Sequence, residues 1–228
     1  MTLQQVLAEL EELGTPQNRK VYARHGVGEP VYGVSYANLD KLRKRVGRDG
    51  PLAEQLWETG NHDARVLATM IADPAGVEPG TLDTWVEDLD SYVLTDAFAK
   101  LAAATPHARR KMVEWTRSRE EWPGRAGWLV LAQLVMAGEA FDDAQLGRYL
   151  MDLEGRIGRA PNRVRDAMNS ALIAIGAYRD ELEEPALAAA RRIGTIEVDH
   201  GETGCKTPDA AEYIRKTRAR RGGAAATK

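Results

Sequence analysis

The sequence predicts an all-α protein, an α-solenoid of HEAT-like helical repeats with a concave groove. Three observations carry that expectation. Good helix formers (Ala, Leu, Glu and Arg) dominate, and Phe occurs only twice in 228 residues. Apolar residues recur with helical spacing nearly everywhere, and start and stop signals return at short intervals. Helix pairs recur about every 40 residues, the period of HEAT-type arrays, whose stacking leaves a concave face for an elongated ligand. A compact helical bundle is the alternative reading of the same pattern.

The expected helices, in order, are 2–13, 16–25, 35–46, 51–58, 62–72, 81–87, 91–103, 106–117, 120–137, 142–157, 161–177, 180–193 and 207–217. Thr15-Pro16, an N-cap with proline in the first turn, opens the second. Pro51, Thr105-Pro106, Pro161 and Thr207-Pro208 repeat that style. Gly14, Gly26, Gly47, Gly60, Gly138, Gly158 and Gly176 stand where helices should end. In 91–103, Val93, Leu94, Ala97, Phe98 and Leu101 form the expected core arc. Segment 120–137 is apolar nearly all round, which predicts burial in the middle of the array. In 142–157, Leu146, Tyr149, Leu150, Leu153 and Ile157 make one stripe; in 161–177, Val164, Met168, Ala171, Leu172 and Ile175 do so.

Two glycine-rich stretches interrupt the pattern, "GVGEPVYGV" at 26–34 and "GTIEVDHGETGCK" at 194–206. Thr195–Val198 reads as a short strand. The expected organisation is one domain over 1–195, a loop-and-helix extension over 196–217 packed on it, and a basic flexible tail over 218–228.

Bulk properties narrow the function. Hydrophobic residues make up 43% and charged residues 29%, so a sizeable core is expected. The net charge of −3 and pI near 5.9 advertise no global nucleic-acid binder, although local patches count for more than the total. The single cysteine, Cys205, rules out an intramolecular disulfide framework. The opening "MTLQQVLAELEELG" reads as an amphipathic helix rather than a secretory leader. With no apolar run of about 18 residues, no membrane partner and a cytoplasmic location are expected. Asp199, His200, Glu202 and Cys205 are capable metal ligands, but their spacing matches no structural zinc pattern, and no metal or other cofactor is expected. No Gly-rich phosphate loop and no G-x-S-x-G occur.

Three helices carry odd faces. In 91–103, Tyr92, Asp96, Ala99 and Ala103 fall on the arc opposite the core, a ring and a carboxylate with small residues that let something large approach. A solvated arc is the plain alternative. Arg125 is the lone basic residue of 120–137, with Trp122 three residues before it. Its guanidinium needs a carboxylate or a phosphate, and Glu120 or Glu121 would serve. In 161–177, Asp166, Asn169 and Ser170 lie outside the stripe, and Asn162 and Arg163 open the helix, where free N–H groups can take an anion.

Taken in order, "YARHGV", "LWETGNHDARVLATMI", "SYVLTDAFAKL", "EEWPGRAGWLVL" and "PNRVRDAMNSALIAIG" resemble the DNA alkylation repair (AlkD-like) family of HEAT-like-repeat DNA glycosylases, over residues 15–195. The resemblance implies duplex DNA held in the groove and hydrolysis of the N-glycosidic bond of cationic N3- or N7-alkylated purines, without flipping the base into a deep pocket. Asp96 would stabilise the oxocarbenium-like sugar and position a water. Tyr92, where active members have Trp, would hold the sugar and base by contacts worth about 0.5–2 kcal/mol. Arg125 would grip the phosphate beside the lesion. A second Trp position falls on Ser170, and a DNA-touching tyrosine on Tyr22. Trp122, Arg163, Arg165 and Asn169 complete the expected DNA-binding set.

The protein is therefore expected to act as a monomer on duplex DNA that is alkylated or distorted. One smaller ring and one missing ring leave a second class open, a non-catalytic relative that recognises bent or branched DNA. A HEAT-like scaffold for protein partners is the third. On the first two readings Arg109, Arg110, Lys111, Arg125, Arg163 and Arg165 should rim one concavity.

Overall fold

The computed structural model describes residues 1–225, and among them all regular structure is helical. Residues 226–228, the end of the expected tail, lie outside the described residues. The expected all-α class holds. Thr195–Val198 is irregular rather than a strand, because a short β-prone run without a partner strand cannot satisfy its backbone groups. The described chain divides into two compact units, residues 1–108 with 200–204, and residues 109–199 with those from 205 onward.

The first unit contains α1 (Leu3–Leu13), α2 (Pro16–Arg24), α3 (Tyr36–Val46), α4 (Gly50–Glu58), α5 (His62–Ile71), α6 (Pro79–Glu87) and α7 (Tyr92–Ala103). Side-chain caps set the starts. Thr2 and Gln5 close a capping box on α1, and Thr15, Ser35, Asp49, Asn61 and Ser91 each accept a backbone N–H in the first turn. Helix α5 packs on α4, α3 and α7. At the core Trp57 stacks on Trp85 with ring centroids 4.2 Å apart, and its indole N–H donates to Asp88 at 2.8 Å.

The glycine-rich 26–34 loop is pinned by one carboxylate. Asp63, fully buried in the first turn of α5, accepts the backbone N–H groups of Tyr32 (2.7 Å), Gly33 (2.9 Å) and Val34 (2.8 Å). Gly33 sits at φ 81°, and a Cβ there would come within 2.7 Å of the Thr15 carbonyl oxygen and 2.8 Å of the Arg19 nitrogen, a place only glycine fills without strain.

The second unit contains α8 (Ala108–Trp115), α9 (Glu121–Met136), α10 (Asp143–Arg156), α11 (Asn162–Tyr178), α12 (Glu183–Ile193) and α13 (Ala210–Ala225). Its helices pack in two rows: α9 on α11 on α13, and α10 on α12. This is the stacking expected of HEAT-like pairs. Helix α9 is buried along most of its length, as its nearly all-round apolar sequence predicts.

Two expectations change here. Gly176 lies inside α11 rather than at its end. A Cβ there would come within 2.7 Å of Ile214 and 2.8 Å of Ala186, so the glycine lets α12 and α13 approach. Thr207 is the expected cap of α13, and Asp209, two residues on, accepts the Glu212 N–H at 2.7 Å. Helix α13 continues through Ala225, past the end expected at 217, so the tail expected to be flexible from 218 is helical as far as it is described. Arg218 donates to the Gly176 carbonyl and pairs with Asp180 and Glu183 at 2.7 Å each. Arg221 bonds the Ala177 carbonyl and lies over the Tyr178 ring.

Candidate nucleic-acid interface

In the first unit, α7 turns Leu94, Thr95, Phe98, Ala99, Leu101 and Ala102 into the core. The buried arc is therefore rotated from the expected one: Ala99 is inside, while Val93 and Ala97 are half-buried. Asp96 remains on the open side, exposed, with Tyr92 half-buried one turn earlier. The Tyr92 hydroxyl shares a hydrogen bond with His25 Nδ1. Asp96, Ala97 and Lys100 line a hollow of about 520 Å3 whose other wall carries Tyr36, Asp40 and Arg43.

Tyr36, and not Tyr22, is the tyrosine beside Asp96. Tyr22 is buried, donates its hydroxyl to the Val34 carbonyl at 2.6 Å, and meets the His62 ring edge-on at 5.2 Å. Burial pushes its phenol far above the usual range, and Asp63 adds to the shift. A residue so engaged belongs to the core, which corrects the expectation that Tyr22 touches DNA. Tyr36 is 44% exposed by area, yet its phenol is pushed from 10.0 up to about 12, first by desolvation and then by Asp96, Asp63 and Tyr92. The raised pKa favours the protonated, folded state. Its contribution is complete below pH 10 and is lost as pH rises through about 12. Asp96→Asn should therefore lower the pH at which Tyr36 ionises, measured by ultraviolet absorbance against a Tyr36→Phe blank; an unchanged midpoint would refute the pairing.

In the second unit, α9 and α11 bring together Arg125, Arg163, Asp166 and Ser170. Arg125 is 3% exposed. Its Nη1 donates to Asp166 Oδ2 at 2.7 Å and to the Arg163 carbonyl at 2.9 Å. A carboxylate that meets it is thus Asp166, on the neighbouring helix. Glu121 instead accepts the Arg163 backbone N–H at 2.6 Å, occupying a helix N-terminal donor expected to meet an anion. Ser170 Oγ donates back to the Asp166 carbonyl at 3.1 Å. Trp122 is half-buried in the first turn of α9.

Asn169 is 1% exposed, and its Nδ2 donates to the Pro208 carbonyl at 2.9 Å. It fastens the segment before α13 and has no surface to offer DNA, contrary to expectation. Arg165 borders a separate hollow with Arg192 and Glu197. Lys111 is 2% exposed and paired with Glu114. Within this unit the expected basic set does not rim one cavity.

Sequence reasoning missed another gathering of charge. A cavity of about 680 Å3 between α8 and α10 is lined by Arg109, Arg110, Arg117, Arg148 and Arg156. A signal was present. Arg110 and Arg117 are seven residues apart, close to two helical turns, and Arg148, Asp152 and Arg156 repeat every four.

The sequence profile described as "DNA alkylation repair enzyme" matches residues 6–214. The chain belongs to the DNA alkylation repair family. This family member is 30% identical to the uncharacterized protein Lin0241 of Listeria innocua, over 96% of this chain and 99% of that one. It is 28% identical to the uncharacterized protein Lmo0209 of Listeria monocytogenes over the same shares. Among solved structures it resembles one described as a new family of proteins related to the HEAT-like repeat DNA glycosylases with affinity for branched DNA structures. The TM-score is 0.89 at 30% identity, over 97% of this chain and 95% of that chain. The HEAT-like fold expected from the sequence is the fold of that neighbour.

Proposed function

We propose that this protein binds branched DNA in the service of repair, reading phosphates and shape, and does not excise bases. The observation that carries this reading is the pairing on α9 and α11. Where the resemblance implies a phosphate grip, Arg125 is 3% exposed and bonded to Asp166. Where it implies a second indole, Ser170 bonds its own helix. Losing that ring and shrinking the other to Tyr92 removes contacts worth a few kcal/mol, or roughly 100-fold in rate. The affinity of the solved relative for branched DNA supports the same reading.

One observation favours the second reading, an alkylpurine glycosylase: Asp96 is exposed in a hollow with Tyr92 one turn before it and Tyr36 across from it. Two measurements separate them. On the binding reading, a four-way junction binds at least about 10-fold tighter than linear duplex of equal length, and affinity falls steeply with salt. Incubation with methylated duplex then yields no alkali-labile abasic sites. If abasic sites accumulate with wild type and vanish with Asp96→Asn, the protein is a glycosylase and the binding-only reading falls.

A further inference from the structure

None of the residues that the family resemblance singles out lines the cavity between α8 and α10. In the second unit those residues, Arg125 and Ser170, lie on the α9–α11 row; the cavity borrows from α8 and the other row. Five arginines line it against one acid, Asp152, in a chain whose net charge is −3. Two are committed to structure. Arg109 donates to the Ala140 carbonyl and covers the Phe141 ring at 4.2 Å. Arg156 donates to the Thr116 carbonyl and pairs with Asp152. Arg110, Arg117 and Arg148 are exposed and have no hydrogen-bonded or ion-paired partner among the described residues. Three unpaired guanidiniums around one cavity repel one another, an arrangement that an anion relieves.

The basic surface extends further than one small anion requires. A second hollow adjoins the first through Arg156 and carries Arg119 and Arg159. From Gln145 to Arg159 the track follows α10 and its 3-10 extension for about 20 Å at helical rise. That is the length of about six nucleotides along one strand of a duplex. The lining also holds Met112, Val113 and Tyr149, and its one acid, Asp152, is paired with Arg156.

We propose that this arginine track is a second DNA-backbone site, which takes an additional arm of a branched DNA. The inference rests on the branched-DNA reading above. It explains how a chain of net negative charge could prefer a junction: one arm engages elsewhere on the molecule, and another is held by phosphate contacts here. Linking two weak contacts through one ligand raises affinity without any new chemistry.

The test uses the full chain and the triple variant Arg110→Gln, Arg117→Gln, Arg148→Gln. All three side chains are exposed, so the variant should keep its circular-dichroism spectrum and melting temperature; Arg148→Glu alone serves if it does not. Binding to a four-way junction and to a linear duplex of equal length is measured over a range of salt. The variant is expected to bind the junction at least about 10-fold more weakly, with a log–log salt slope shallower by about 2–3. Its linear-duplex affinity should change by less than about 3-fold. Unchanged junction binding overturns the inference, and so does an equal loss on both DNAs. Two competitors check the source of phosphate. If a nucleoside monophosphate, or a duplex RNA, occupies the site in wild type and not in the variant while junction binding is the same in both, the site serves that ligand and the inference falls. Failure of the wild type to bind any DNA is a different result, which removes the proposed function itself.

Discussion

Asp63→Ala is expected to lower the stability of this protein by about 4 kcal/mol. The carboxylate is wholly buried and accepts three consecutive backbone N–H groups from the 32–34 segment. Hydrogen bonds to a charged acceptor contribute about 1.5–3 kcal/mol each, and donors left behind in the interior carry the cost of their desolvation. Alanine removes the acceptor and strands the three donors. Asp63→Asn keeps one acceptor oxygen and should lose about half as much. For a chain of this size the alanine change corresponds to a melting temperature lower by about 8–16 °C. The Val34 carbonyl that holds Tyr22 belongs to the same segment, so the Tyr22 phenol should become easier to ionise. A loss below about 1 kcal/mol would show that the loop is held by something other than Asp63.

Gly127→Ala is expected to be the most damaging single methyl in the second unit. A Cβ at that place would lie 2.4 Å from the Thr116 amide nitrogen, 2.5 Å from the Trp115 carbonyl carbon and 2.9 Å from Trp115 Cβ. Two of these are main-chain atoms, which cannot swing aside as a side chain can. Overpacking of this kind typically costs about 1–3 kcal/mol and more where backbone is struck. The better helix propensity of alanine returns only about 1 kcal/mol, and a net loss of about 3 kcal/mol is expected. Gly155→Ala on α10, where a Cβ meets nothing within 4 Å, should stabilise by about 0.5–1 kcal/mol. Denaturant midpoints for the pair check both signs. Equal midpoints would mean that α9 can move off the end of α8 freely.

The helices were legible because their signals are local. Apolar spacing, capping hydroxyls and carboxylates, and glycines at Gly47, Gly60 and Gly138 all act within a few residues. What was misread depends on partners far away in sequence. Nothing in "ALIAIGAY" reveals that Ile214 will press on Gly176. Nothing in the tail reveals that Arg218 and Arg221 will find carbonyls at the end of α11. Ala99 reads as part of the open arc because a small residue carries no sign of its side; packing decides it. The candidate site divides in the same way. Asp96 is legible because a carboxylate on a helix needs water or a partner. Tyr22 and Tyr36 are the same residue type, and only their burial tells them apart. Asn169 looked like one more polar residue on a wet face until the Pro208 carbonyl met it.

Residues 200–204 belong to the first unit, and this matters for synthesis. A nascent chain that has released its first 108 residues from the ribosome still lacks a piece of that unit, and gains it only after most of the remaining sequence has emerged. A fragment that ends at residue 108 would lack part of its own unit.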